Sequence, residues 1–153
     1  MIRRPFVTAL FCAAGIAAAC APRNRVSTDR DKRQQPLIST TENGLAFTLT
    51  KISGPRATSF ALELTNPGKL TELRFESGRT HDFVVLDEKN REIWRWSRGR
   101  LFTQSLQTKQ LKTGDSMRFE GTWDSVEPGH YRVVASLNSS SLPEALEQEF
   151  VVR

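Results

Sequence analysis

The most constraining feature of this sequence is an alternation of apolar and polar residues that begins after Gly44 and continues almost to its end. A period of two places one set of side chains on the core face of a β-strand and the other set toward water. Four segments show the pattern most clearly: 45–49, 60–64, 119–123 and 131–137. The pattern therefore predicts strands that each have one buried face.

Turn-forming residues separate these segments at intervals of about ten residues. They are Ser53-Gly54-Pro55, Asn66-Pro67-Gly68, Ser77-Gly78, Asp87 to Asn90, Thr113-Gly114-Asp115 and Glu127-Pro128-Gly129. Short strands at this spacing, without a long helical stripe, are typical of β-sandwiches. We therefore predict an all-β fold, an immunoglobulin-like antiparallel β-sandwich of about eight strands that occupies residues 42–153. Only residues 142–148 (LPEALEQ) indicate a helical turn or two.

The first 19 residues resemble a bacterial lipoprotein signal peptide. Arg3 and Arg4 form a positive start, and the apolar stretch 6–16 (FVTALFCAAGI) is too short for a permanent membrane helix. Residues 17–20 (AAAC) resemble the lipobox, where cleavage precedes a cysteine whose sulfur then carries diacylglycerol. We predict export, lipid attachment at Cys20 and anchoring to a membrane of the bacterial cell envelope. An ordinary secretory cleavage and an uncleaved anchor remain as alternatives.

The charge distribution argues against a nucleic-acid-binding domain. The formal net charge of +5 comes from the N-terminal part, since residues 36–153 hold 15 Lys and Arg against 15 Asp and Glu. A nucleic-acid-binding module would concentrate basic charge on its folded part. Residues 20–41 are polar and basic with few large apolar side chains, which is typical of a flexible tether.

The sequence offers no recognisable catalytic or metal-binding set. Cys12 lies in the predicted signal peptide and lipid would block Cys20, so we expect neither a thiolate metal site nor a cysteine nucleophile. The two histidines, His81 and His130, are expected at the surface or at strand ends. Asp82 follows His81, but neighbours in a strand face opposite ways, which disfavours a base and its orienting carboxylate. We predict a protein that is not an enzyme and that needs no metal or cofactor.

Two tryptophans mark residues 77–107 as the segment with the clearest functional content. Trp94 and Trp96 share one face of a predicted strand, and Arg95 points to the other face. One interpretation makes the tryptophans core anchors. The other makes them part of an exposed protein-binding patch, since Trp and Arg dominate binding hot spots. The candidate partner-binding residues are Trp94, Arg95, Trp96, Arg98, Gly99 and Arg100.

Motifs within this segment and downstream of it carry a resemblance to a known family. They are Ser77-Gly78, His81-Asp82-Phe83-Val84-Val85, Trp94-Arg95-Trp96-Ser97, Gly99, Phe102-Thr103-Gln104, Leu111, Gly114-Asp115-Ser116, Trp123 and Gly129-His130-Tyr131. With these motifs, the chain resembles the BsuPI-type intracellular proteinase inhibitor family over residues 43–152, and His81 stands where the family tends to have tyrosine.

The resemblance implies a small all-β inhibitor that binds a subtilisin-like serine protease. Such an inhibitor would occlude the protease cleft with rigid loops at one end of the sandwich, and residues 97–100 are the best candidate loop. A non-inhibitory immunoglobulin-like module for protein binding or assembly on the cell envelope is the alternative.

Overall fold

The computed structural model describes residues 36–41, 44–124 and 127–153, and within these ranges the chain is all-β without a helix. The strands, numbered in chain order, are β1 (Leu37–Thr40), β2 (Ala46–Ser53), β3 (Thr58–Thr65), β4 (Thr71–Phe75), β5 (His81–Asp87), β6 (Glu92–Arg95), β7 (Gln107–Leu111), β8 (Ser116–Trp123), β9 (Gly129–Asn138) and β10 (Pro143–Val152). The described chain thus has ten strands, where the sequence predicts about eight.

The strands form two four-stranded sheets and one strand pair. One sheet has the order β1-β2-β3-β8, and the other has the order β10-β9-β5-β6. All of the pairings in these sheets are antiparallel, as is the separate β4–β7 pair. Along the chain, β4 leads from the first sheet to the second and β7 leads back.

The core lies between the two four-stranded sheets. Phe60 of the first sheet stacks on Phe83 of the second, with 6.0 Å between ring centroids, and meets Phe150 edge-on at 5.7 Å. Leu73 and Phe75 of β4 are also fully buried, so the small strand pair completes the enclosure. Full burial of one such side chain contributes about 1.5–3 kcal/mol. The predicted all-β antiparallel sandwich is confirmed.

The helical turn predicted within residues 142–148 is wrong. Residues 143–148 belong to β10, which pairs with β9 from Pro143 opposite Asn138 to Val152 opposite Gly129. The side chains of Leu146 and Phe150 are buried in the core. A helix of one or two turns is marginal in water, whereas a ten-residue strand pairing satisfies the backbone and buries apolar groups.

Strand β1 lies within the range that the composition assigns to the tether. Residues Leu37 to Thr40 pair with β2, in a register that sets Leu37 opposite Leu49 and Thr40 opposite Ala46. Leu37 and Ile38 remain exposed on this edge strand. The sheet therefore includes residues that lack any alternating apolar signal of their own.

The predicted signal peptide, Cys20 and most of the predicted tether lie outside the described residues. In the part that is described, there is no helix with the length and apolar character needed to cross a membrane.

Candidate partner-binding loop

The β5–β6 hairpin positions the segment that the sequence singles out. At its tip, Asp87 Oδ1 accepts hydrogen bonds from the backbone N–H groups of Lys89 and Arg91, each at 2.9 Å. Asn90 adopts a left-handed conformation with φ of 59°, which asparagine tolerates better than most residues. The predicted turn at Asp87 to Asn90 is present, and it brings residues 92–97 back alongside β5.

Both tryptophans of the hairpin pack against the core. Trp94 lies 6.1 Å from Phe60 and Trp96 lies 4.1 Å from the His81 ring, measured between ring centroids. Each is partly buried. The backbone N–H of Trp96 extends the hairpin by donating to the Phe83 carbonyl at 2.8 Å. Both indoles therefore lie where core anchors are expected.

Asp82 is a buried carboxylate that fixes the end of β6, and its side chain stands on the opposite side of β5 from His81 and Phe83. Only 2% of the residue is exposed. Its Oδ1 accepts from the Ser97 N–H at 3.1 Å and the Phe83 N–H at 3.0 Å. Its Oδ2 accepts from the Ser97 hydroxyl at 2.6 Å and from Arg95 Nη1 at 3.1 Å. Arg95 thus faces away from the tryptophans, as predicted, and is held in an ion pair.

The basic turn after Ser97 is ordered by its own contacts. The N–H groups of Arg98 and Arg100 donate to the carbonyls of Arg95 and Ser97, each at 3.2 Å. Gly99 has a φ of 75°, a left-handed conformation that favours glycine. Two consecutive turns therefore carry the chain away from the hairpin.

Both arginines of this turn are exposed and have partners within the protein. Arg98 forms an ion pair with Glu92 at 2.5 Å, and Arg95 binds the same carboxylate. Hydrogen bonds from Arg95 are the main cause that holds the pKa of Glu92 below its ordinary value. The Arg100 guanidinium lies 4.5 Å above the Trp96 ring and donates from Nε to the Trp96 carbonyl at 2.9 Å.

Residues 96–106, which we call the β6–β7 loop, form the longest connection between strands in the described chain. Downstream of the basic turn, Phe102 packs on Trp96 at 5.8 Å, and the Thr103 carbonyl accepts from the Gly78 N–H at 2.9 Å. Gly78 permits this approach, because a Cβ there would lie 2.7 Å from Thr103 Oγ1. The loop is therefore tied to the sandwich on both sides of its tip.

Two leucines of the β6–β7 loop stand in solvent. Leu101 is 100% exposed and Leu106 is 84% exposed. Neither residue belongs to an alternating apolar pattern, so the sequence pattern does not point to them as binding residues. A signal was nevertheless present, since both leucines lie in a stretch that turn residues and polar side chains mark as a loop.

His81 is buried, although surface or strand-end histidines are expected. It does begin β5, but only 8% of it is exposed, because its ring lies between Trp96 and Phe119, whose centroids are 4.1 and 4.7 Å away. Its Nδ1 is 3.2 Å from Thr80 Oγ1, while no group in the described residues makes a hydrogen bond of good geometry to Nε2. Burial lowers the pKa of His81 to about 4. His130, in contrast, is exposed.

The described side chains do not assemble a hydrolytic triad around His81. The Ser97 hydroxyl donates directly to Asp82, and the His81 ring lies on the other side of the strand among aromatic rings. A triad requires the histidine to stand between the nucleophile and the carboxylate. Within the described ranges, no group of three or more His, Cys, Asp or Glu side chains could hold a metal ion.

The fold and the loop together define a class of protein: a small antiparallel β-sandwich domain that presents one long, internally tied loop. Comparison with known families narrows this class. The family described as "Intracellular proteinase inhibitor" (BsuPI) matches residues 45–142, well over half of the chain. The chain belongs to this family, which generally comprises inhibitors rather than enzymes. The partner-binding role of Trp94, Arg95, Trp96, Arg98, Gly99 and Arg100 stays a prediction.

Three solved structures are distantly similar to this chain. The β-glucosidase from Kluyveromyces marxianus is similar over 78% of this chain, with 13% identity and a TM-score of 0.38. Its complex with glucose gives 12% identity and a TM-score of 0.38. This chain spans only 14% of the β-glucosidase chain. The structural genomics target SoR45 covers 80% of this chain and 87% of its own, with 14% identity and a TM-score of 0.28. No curated protein matches this chain.

Proposed function

We propose that this protein is an envelope-anchored inhibitor that blocks the active-site cleft of a subtilisin-like serine protease with its β6–β7 loop. The observation that carries the proposal is the combination of exposure and order in this loop. Its tip is fully open to solvent at Leu101, while Ser97 and Thr103 are hydrogen-bonded to other parts of the sandwich. Membership in a family of proteinase inhibitors supports the inhibitory role.

A loop that is already ordered binds with a smaller loss of entropy than a flexible segment does. Protease–inhibitor complexes typically show little backbone change between free and bound partners, and each partner buries about 800 Å². Neighbouring connections could enlarge the contact. The Gly78 N–H donates to the carbonyl of Thr103 in the loop, and the backbone N–H of Asn138 donates to the carbonyl of Thr80. These connections lie together at one end of the sandwich, which provides a rigid surface around the loop.

The purified protein is expected to inhibit at least one serine protease stoichiometrically. Residual activity should fall to zero near equimolar inhibitor when a panel of subtilisin-like and chymotrypsin-like enzymes is titrated, because occlusion of one cleft needs one inhibitor. Cysteine and metalloproteases serve as controls and should stay active. A panel without inhibition would contradict the proposal. A stable complex that leaves the protease active would instead favour the alternative binding or assembly module.

The envelope location is the second part of the proposal, and it rests on the lipobox-like residues 17–20. The family description names intracellular inhibitors, whereas a lipidated Cys20 would hold this domain outside the cytoplasm. We therefore propose a target protease that is exported to the same compartment. The neutral charge balance of residues 36–153 suits a domain attached by lipid rather than by a basic surface.

Substitution Cys20→Ala is expected to move the protein from the membrane fraction to the soluble fraction or to block its processing. A single lipid chain binds membranes only weakly, but several chains on one cysteine anchor a protein stably. The measurement is membrane fractionation followed by mass spectrometry of the mature N-terminus. Cys12→Ala is the matched control and should leave both readouts unchanged. Unaltered membrane association of a Cys20→Ala protein whose signal peptide has been removed, as mass spectrometry of the N-terminus would show, would contradict lipid anchoring.

A further inference from the structure

We infer that Leu101 is the side chain that enters the primary specificity pocket of the target, which is therefore a protease with an apolar pocket. This inference rests on the proposed inhibitory function and goes further, because it names the inserted residue and the specificity of the enzyme. The sequence alone favours the preceding basic turn, residues 97–100. The contacts of the loop shift the choice to its next residue.

Leu101 is fully exposed, whereas both of its neighbours in the chain contact an aromatic ring. Scattered exposed leucines are normal on protein surfaces, so exposure alone has little weight. Here Arg100 and Phe102 both lie against the Trp96 ring, at 4.5 and 5.8 Å from its centroid. Leu101 stands between them and is 100% exposed. Two anchored neighbours thus present one apolar side chain at the tip of the loop.

The attachments of the loop keep this tip in place without a partner. Upstream, the buried carboxylate of Asp82 holds both the N–H and the hydroxyl of Ser97. Downstream, the carbonyl of Thr103 is held by the N–H of Gly78. Insertion of Leu101 into a pocket would therefore bury its side chain, a gain of the kind that drives binding hot spots, with little further ordering of the backbone.

The charges of the loop decide which kind of pocket it fits. An acidic pocket, as in trypsin-like proteases, would need an arginine as the inserted residue. Arg98 forms an ion pair with Glu92. Arg100 lies over the Trp96 ring and donates a hydrogen bond to the Trp96 carbonyl. Either arginine would have to give up these contacts on binding, whereas Leu101 gives up none. An apolar pocket of the subtilisin or chymotrypsin kind is therefore the better fit.

The test measures inhibition constants for the full-length protein against subtilisin, chymotrypsin and trypsin. The wild-type protein should inhibit an enzyme with an apolar pocket and leave trypsin active. Leu101→Ala should raise the inhibition constant by about 30-fold or more, since truncation of a hot-spot residue commonly has an effect of this size. Leu70→Ala is the matched control, because Leu70 is 59% exposed in the connection between β3 and β4. It should change the constant by less than about twofold.

Leu101→Arg provides a gain of function that a merely unfolded variant could not show. It should confer inhibition of trypsin and reduce inhibition of the apolar-pocket enzyme, because specificity is a difference between two affinities. If the wild-type protein inhibits but neither Leu101 variant differs from it, the inference is overturned and the proposed function stands. If the wild-type protein inhibits none of the panel of serine proteases, the proposed function fails and the inference fails with it.

Discussion

Substitution Asp82→Ala is expected to lower the free energy of unfolding by about 3 kcal/mol. The carboxylate is 2% exposed and accepts four hydrogen bonds, two of which come from Ser97 and one from Arg95. Alanine would leave the buried Ser97 N–H without its acceptor and the Arg95 guanidinium without its buried partner. Each buried polar group that loses its partner costs about 1–3 kcal/mol. Urea unfolding of the purified variant should show a midpoint lower by about 1.5 M.

Two further variants separate the loss of charge from the loss of hydrogen-bond acceptors. Asp82→Asn keeps an acceptor for the Ser97 N–H but removes the charge that faces Arg95, so its destabilisation should be roughly half that of alanine. Glu92→Gln is the matched surface control, since its ion pairs with Arg95 and Arg98 are exposed and should contribute less than about 1 kcal/mol. Equal stability of wild type and Asp82→Ala would show that Asp82 does not fix the end of β6.

The sequence predicted those parts of the fold that short-range periodicity determines. Alternating runs such as Leu45 to Leu49 and Phe60 to Leu64 do point their apolar members into the core. The period cannot predict a strand whose pairing comes from elsewhere in the chain. Strand β10 contains residues with helical character, and it forms because ten residues of β9 offer a complementary edge. Pairings of this kind depend on the whole fold rather than on local preference.

The candidate site also has one part that sequence pattern predicts and another part that depends on the whole fold. The alternation of Trp94, Arg95 and Trp96 correctly assigned their faces, because that argument needs only neighbouring residues. The contact between Asp82 and Ser97 depends on the register of β5 with β6, which shifts between Val85 and Leu86. Sequence pattern does not reveal such a shift, so the pattern indicates only that Asp82 follows His81. The exposure of Leu101 likewise follows from three-dimensional contacts of Arg100 and Phe102 with one indole ring.

The buried His81 ring predicts that the protein becomes less stable as the pH falls from about 6.5 toward about 4. Burial among aromatic rings is the main cause that lowers the pKa of His81 from 6.5 to about 4. Asp82 and the Glu120 carbonyl act in the opposite direction, while Arg100 and Lys109 add to the lowering. Between these two pH values the unfolded chain binds a proton at His81 that the folded protein does not bind. Protonation therefore favours the unfolded state throughout this window, and the stability is fully present only above the unfolded pKa.

The expected loss is about 2 kcal/mol between about pH 7.5 and pH 4.5, since each unit of pKa difference corresponds to about 1.4 kcal/mol and this window ends above the folded pKa of about 4. Carboxylates with lowered pKa values, such as Asp87 and Glu92, add to the acid sensitivity of the whole protein, so a variant is needed to isolate the histidine. His81→Phe keeps a ring of similar shape between Trp96 and Phe119 and removes the titrating group. Urea unfolding at both pH values should show that this variant loses less stability on acidification than wild type, whereas the exposed His130→Ala variant should lose as much as wild type. A His81→Phe protein that keeps the full pH dependence would show that the folded and unfolded wild-type proteins bind the His81 proton equally well. The aromatic cluster would then accommodate, on acidification, a cation that burial disfavours.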